Sequence, residues 1–102
     1  MPITGKWWIF SETIVQYELE SPGVYELGNS SGQVIYIGST NNVRRRLREH
    51  LAESGTCVKR NAAFYRVEYT SNHLAREREL YNEHVRLYGR SPLCNEVRPG
   101  GR

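Results

Sequence analysis

The chain has 102 residues, enough for one domain and one core, and no apolar run approaches the roughly 20 residues of a membrane span. Its net charge of +3 comes from twelve arginines and two lysines set against eleven acids, all of them glutamate. With no aspartate, metal centres built on paired aspartates are excluded. The arginine excess points to phosphate, which the planar guanidinium fork matches better than lysine does.

The start, "MPITGKWWIF", has neither the basic lead nor the long apolar segment of a signal peptide, and a cytoplasmic protein is expected. Residues 1–20 form an aromatic lead in which Trp7 and Trp8 are expected to pack on the domain. Ser11 is placed to cap a short helix. "SPGVYEL" reads as a strand opened by Pro22 and Gly23, and "GNSSG" at 28–32 as a hairpin turn. "QVIYIG" at 33–38 is a second strand, with Val34, Tyr36 and Gly38 expected on one face and Ile35 and Ile37 on the other. "STNN" offers N-caps for a helix over "VRRRLREHL", whose apolar stripe is Val43, Leu47 and Leu51.

"GTCVKRN" reads as a loop, and "AAFYRVEYT" at 62–70 as a third strand by its alternation. A long second helix follows, capped by Ser71 or Asn72 and ended by Gly89 with Pro92. The order β-β-α-β-α predicts an α/β (α+β) fold: a small three-stranded mixed or antiparallel sheet flanked by helices. Residues 21–102 would form that unit, with residues 1–20 packed on it. Cys57 and Cys94 form no C-x-x-C pair, which argues against zinc. They leave one disulfide open but favour two free, partly buried thiols.

The arrangement of "GVY" at 23–25, a turn, "YIG" at 36–38 and arginine with histidine in the next helix resembles the GIY-YIG nuclease superfamily. The likeness runs from about Pro22 to Asn95. Members include restriction enzymes, homing endonucleases and the incision nuclease of nucleotide excision repair. The resemblance implies a metal-dependent DNA endonuclease using Mg²⁺ or Mn²⁺, with Tyr25 and Tyr36 as the motif tyrosines. It puts the family's arginine on Arg46, ten residues after Tyr36, and its histidine or tyrosine on His50. The i, i+4 spacing sets these two on one helix face. It also implies a glutamate metal ligand in the later helix, for which Glu77, Glu79 and Glu83 are the choices. Glu77 borders the apolar side, having Leu74, Leu80 and Tyr81 at helical spacing, and is favoured; Glu79 is the runner-up. Asn95, in "SPLCN", matches the final marker, either holding phosphate or locking strands.

Gly38 and Ser39 would let a phosphate approach the backbone and the helix N-terminus. Arg44, Arg45, Arg48 and Ser39 are the expected nucleic-acid contacts, although an arginine run alone is commonly a solvated helix face. Some members have lysine where Ser39 stands, so the likeness to a repair-type enzyme is weaker than the likeness to a cleaving one. One of the two tyrosines would take a proton from water, which demands a pKa below the usual value near 10. The alternative function is a non-cleaving nucleic-acid module acting with a partner protein. A protein partner or a homo-oligomer is left open.

Overall fold

The computed structural model describes residues 2–95, so the end of the expected 21–102 unit lies outside the described residues. Strands β1 (Trp8–Ile9), β2 (Gly23–Gly28), β3 (Val34–Thr40) and β4 (Phe64–Tyr69) form one sheet in the order β1-β4-β2-β3. Every pairing is antiparallel, so the sheet has four strands and is not mixed. The added strand is two residues long and pairs Trp8 with Tyr65 and Ile9 with Phe64. Edge position leaves Trp8 43% exposed, contrary to the packing expected for it. Trp7 does pack, 3.2 Å from where a side chain on Gly28 would begin, with the Arg66 guanidinium 4.4 Å above its ring.

Helices cover both faces. On one side α1 (Glu12–Val15), α2 (Val43–Ala52) and α3 (Cys57–Asn61) bury Val15, Val43, Leu47 and Val58 against Tyr25, Leu27 and Tyr65. On the other, α4 (His73–Tyr88) buries Leu80 with Ile3, Val24 and Ile37. Gly89, at φ 77°, ends α4 in the left-handed conformation that glycine adopts without strain. Neither α1 nor α4 receives a side-chain hydrogen bond at its N-cap residue, Ser11 or Asn72.

Strict alternation fails in β3. Leu27 pairs with Tyr36 but Gly28 with Val34, so Ile35 is the extra residue of a β-bulge. Ile35 and Tyr36 therefore both join the cluster under α1–α3, while Val34 packs with Ile37 on the α4 side. A bulge depends on how two strands pair, which no single-strand period records.

Two local expectations are overturned. Residues 57–61 are helical, started by Thr56, whose hydroxyl accepts from the Lys59 N–H. Cys57 and Cys94 are bonded, with Cα atoms 5.5 Å apart, rather than free. The fold brings α3 beside the 3₁₀ turn at Leu93–Asn95, and a separation of 37 residues gave no local sign of it. Opening that loop should cost about 4 kcal/mol, a fall in Tm of roughly 15 °C or more. Thermal melts with and without reductant read this directly. Unchanged Tm, with both thiols alkylated in the unreduced denatured protein, would rule the bond out.

Candidate active site

Tyr25 lies on the central strand β2 and is 1% exposed, while Tyr36 on β3 is only partly buried. Their ring centroids are 6.1 Å apart. Between them stands Gly38, paired with Tyr25 across the sheet. A Cβ on Gly38 would sit 2.5 Å from Tyr25 Oη and 2.9 Å from a Tyr36 ring carbon. The glycine thus makes room for the two phenols rather than for a phosphate.

Helix α2 lays His50 over this pair. Its Nε2 is 2.8 Å from Tyr25 Oη, and its ring centroid is 5.3 Å from that of Tyr36. His50 is 2% exposed, and burial pushes it down to about 4, assisted by the Arg46 charge and opposed by Glu53. Burial likewise drives the Tyr25 phenol well above the ordinary tyrosine range, with Tyr36 adding to the effect and Arg46 countering it. Both partners of the buried hydrogen bond are therefore neutral near pH 7. One turn before His50, Arg46 is close enough to both tyrosines for its charge to act there, and its Nη1 donates to Glu49 Oε1 at 3.0 Å.

The lowered His50 pKa has a measurable consequence. Between pH 6.5 and about 4 the unfolded chain takes up a proton on this histidine and the folded one does not. Stability should therefore fall as pH drops through that window, by up to about 3 kcal/mol from this group. Urea unfolding at pH 7, 5 and 4 should give a shallower decline for His50→Tyr than for the wild type. Parallel declines would remove the assignment.

Glu77 comes from α4, on the opposite face, and its Oε1 accepts from Ser39 Oγ at 2.7 Å. The carboxylate lies close enough to Tyr25 for its charge to act there, so the site wraps around strand β3 from both faces of the sheet. Among the described residues no three His, Cys, Asp or Glu side chains cluster as a metal cage. A single carboxylate beside a hydroxyl is a hard-oxygen donor set that suits Mg²⁺, which keeps much of its water. Asn95 brackets β3 from its free edge: its Oδ1 accepts from Ile37 N at 2.8 Å and its Nδ2 donates to Ile37 O at 3.0 Å. Of the two readings open for Asn95, it locks the strand.

Other expected contacts are engaged elsewhere. Arg44 pairs with Glu20 at 2.6 Å, Arg48 with Glu12 at 3.2 Å, and Arg45 donates to Asn41 at 3.0 Å. The α2 N-terminus is not open to an anion. Its first amides go to Ser21 O, Leu19 O, Asn42 Oδ1 and Asn42 O, from Val43, Arg44, Arg45 and Arg46 in turn. Glu53, which carries no motif, lies 3.4 Å from His50 Nδ1 and 3.6 Å from Arg46 Nη1. Its only signal was the i, i+3 spacing from His50.

A family model described as the GIY-YIG catalytic domain matches residues 21–86. The chain belongs to the GIY-YIG nuclease superfamily. Its class is that of a GIY-YIG endonuclease, and the solved relatives agree. The N-terminal endonuclease domain of UvrC from Thermotoga maritima, a tyrosine variant bound to its catalytic divalent cation, superposes with a TM-score of 0.61 at 28% identity. That match covers 86% of this chain and 99% of the other. The same domain bound to magnesium gives a TM-score of 0.61 at 26% identity, covering 83% and 98%. UvrABC system protein C from Acidobacterium capsulatum is 30% identical over 78 residues, which is 76% of this chain and 12% of that protein. Its counterpart from Methylococcus capsulatus is 40% identical over 48 residues, 47% of this chain and 8% of that protein. This GIY-YIG chain thus matches only about a tenth of those relatives' length. Among its described residues no helix is long and apolar enough to cross a membrane.

Proposed function

We propose that this GIY-YIG domain hydrolyses phosphodiester bonds in DNA with one divalent cation, Mg²⁺ or Mn²⁺. The reading rests chiefly on the convergence of Tyr25, Tyr36, Arg46 and His50 at one point of the sheet, with Gly38 fitted between the phenols. Glu77, held by Ser39, would bind the cation, which supplies charge stabilisation at the phosphoryl and leaving oxygens.

The protein groups divide by exposure. Tyr25 is sealed from water and bonded to His50, so its part is to hold the site's shape and polarity. Tyr36, partly open to solvent, is the phenol that can meet an attacking water and take its proton. The Arg46 charge beside it offsets negative charge gathering on the phosphoryl oxygens. As water adds to phosphorus, the bond to the leaving oxygen breaks, and that oxygen departs with the electron pair. Asn95 keeps Ile37, the residue between Tyr36 and Gly38, in register throughout.

The test is supercoiled plasmid incubated with Mg²⁺, with Mn²⁺ and with chelator. Open-circular product that appears only with metal is expected. DNA retarded in gels without a nick under either cation would instead make the domain a binding module that acts with a partner.

A further inference from the structure

We infer that Glu53 is a positioning residue of this site: it fixes the tautomer of His50, so that the Tyr25 hydroxyl donates to His50 Nε2. The inference rests on the proposed nuclease reading for its catalytic consequence but not for its geometry.

Glu53 lies against both chemistry-bearing side chains of α2. Its Oε1 is 3.4 Å from His50 Nδ1 and its Oε2 is 3.6 Å from Arg46 Nη1. Nδ1 is buried and no hydrogen bond among the described residues satisfies it, and the Glu53 carboxylate oxygen at 3.4 Å is an acceptor within reach. An imidazole whose Nδ1 faces a carboxylate keeps its proton on that nitrogen and leaves Nε2 as an acceptor. Nε2 is the atom 2.8 Å from Tyr25 Oη, so the phenol O–H must then be the donor. The remaining groups around the ring cannot fix this choice. Tyr36 meets it edge-on, and Arg46, a cation with no acceptor, cannot receive the proton. Glu49 is committed to Arg46 at 3.0 Å.

The backbone prepares Glu53 for the task. It closes α2, its N–H donating to His50 O at 3.3 Å. Its carbonyl accepts from Thr56 Oγ1 at 3.2 Å, and the same hydroxyl caps α3. Cys57, the next residue, is tied to Cys94 beside Asn95. The turn that carries Glu53 is thus fastened at both ends to parts of the site.

The experiment pairs long-range ¹H–¹⁵N correlation of the His50 ring at pH 7 with single-turnover nicking, in the wild type, Glu53→Ala and Glu53→Gln. Wild type should carry the proton on Nδ1. Glu53→Ala should lose that preference and nick about 10- to 100-fold more slowly, with metal-free DNA affinity unchanged within about twofold. Glu53→Gln, whose amide oxygen still accepts, should keep the tautomer and most of the rate. Glu49→Ala should leave the tautomer unchanged. A wild-type ring protonated on Nε2, a tautomer indifferent to Glu53→Ala, or equal defects in the alanine and glutamine variants would each overturn the inference. Should Glu53→Ala fail to fold, Glu53→Met, which fills the space without accepting, takes its place. If the wild type does not nick at all, the nuclease reading falls while the tautomer still decides the role of Glu53.

Discussion

Glu77→Gln is expected to slow metal-dependent nicking at least about a thousandfold while the fold and metal-free DNA binding survive. Glutamine is nearly isosteric, and its amide oxygen can still accept the Ser39 hydroxyl that now meets Glu77 Oε1 at 2.7 Å. Only the charge is lost, and with it the anionic ligand a hard cation requires. Glu79→Gln is the matched control. Glu79 accepts from Arg76 Nη1 at 2.9 Å and is exposed, a pattern of surface pairing, so its variant should nick within about twofold of wild type. Plasmid nicking across a Mg²⁺ series measures both. If Glu79→Gln carries the loss and Glu77→Gln does not, the ligand has been assigned to the wrong carboxylate.

Much of this arrangement was legible in the chain, because its parts are short-range. The "GNSSG" turn, the Val43 and Leu47 stripe and the Gly89 stop each follow from local backbone chemistry, and the fold repeats them. The tyrosines, Arg46 and His50 were set together by the resemblance to the family's motif, to which strand pairing and an i, i+4 step lend geometric support. What escaped was pairwise and distant. The bulge at Ile35 belongs to two strands jointly, and the Cys57–Cys94 bond joins segments whose proximity only the finished fold creates. The two-residue strand Trp8–Ile9 is too brief to register as a period. Gly38 was read as space for a ligand because sequence cannot tell which neighbour fills the gap, and in the structure Tyr25 fills it. The α2 N-terminus looked open to phosphate until Ser21 and Leu19 supplied carbonyls from the preceding segment.

The two motif tyrosines should separate sharply on mutation. Tyr36→Phe removes the phenol placed to meet water and should lower the single-turnover rate by about a thousandfold, within the range general-base catalysis supplies. Because Tyr36 is only partly buried, the loss of its hydroxyl should leave stability nearly unchanged. Tyr25→Phe should act differently. It strips His50 Nε2 of its partner at 2.8 Å inside the core, which should cost about 1–3 kcal/mol of stability. Its effect on rate should be smaller, since an imidazole left in place by Glu53 still backs the site. Urea unfolding and single-turnover nicking on the same preparations give both quantities for each variant. A Tyr36→Phe enzyme near wild-type rate, beside a Tyr25→Phe enzyme that is stable but inactive, would move the base to the buried tyrosine. That outcome would require the Tyr25 proton to leave through His50, against a pKa that burial drives well up on the phenol and down to about 4 on the imidazole. The opposed directions of those two shifts make proton loss from Tyr25 costly, and they are the physical reason for assigning proton transfer to Tyr36.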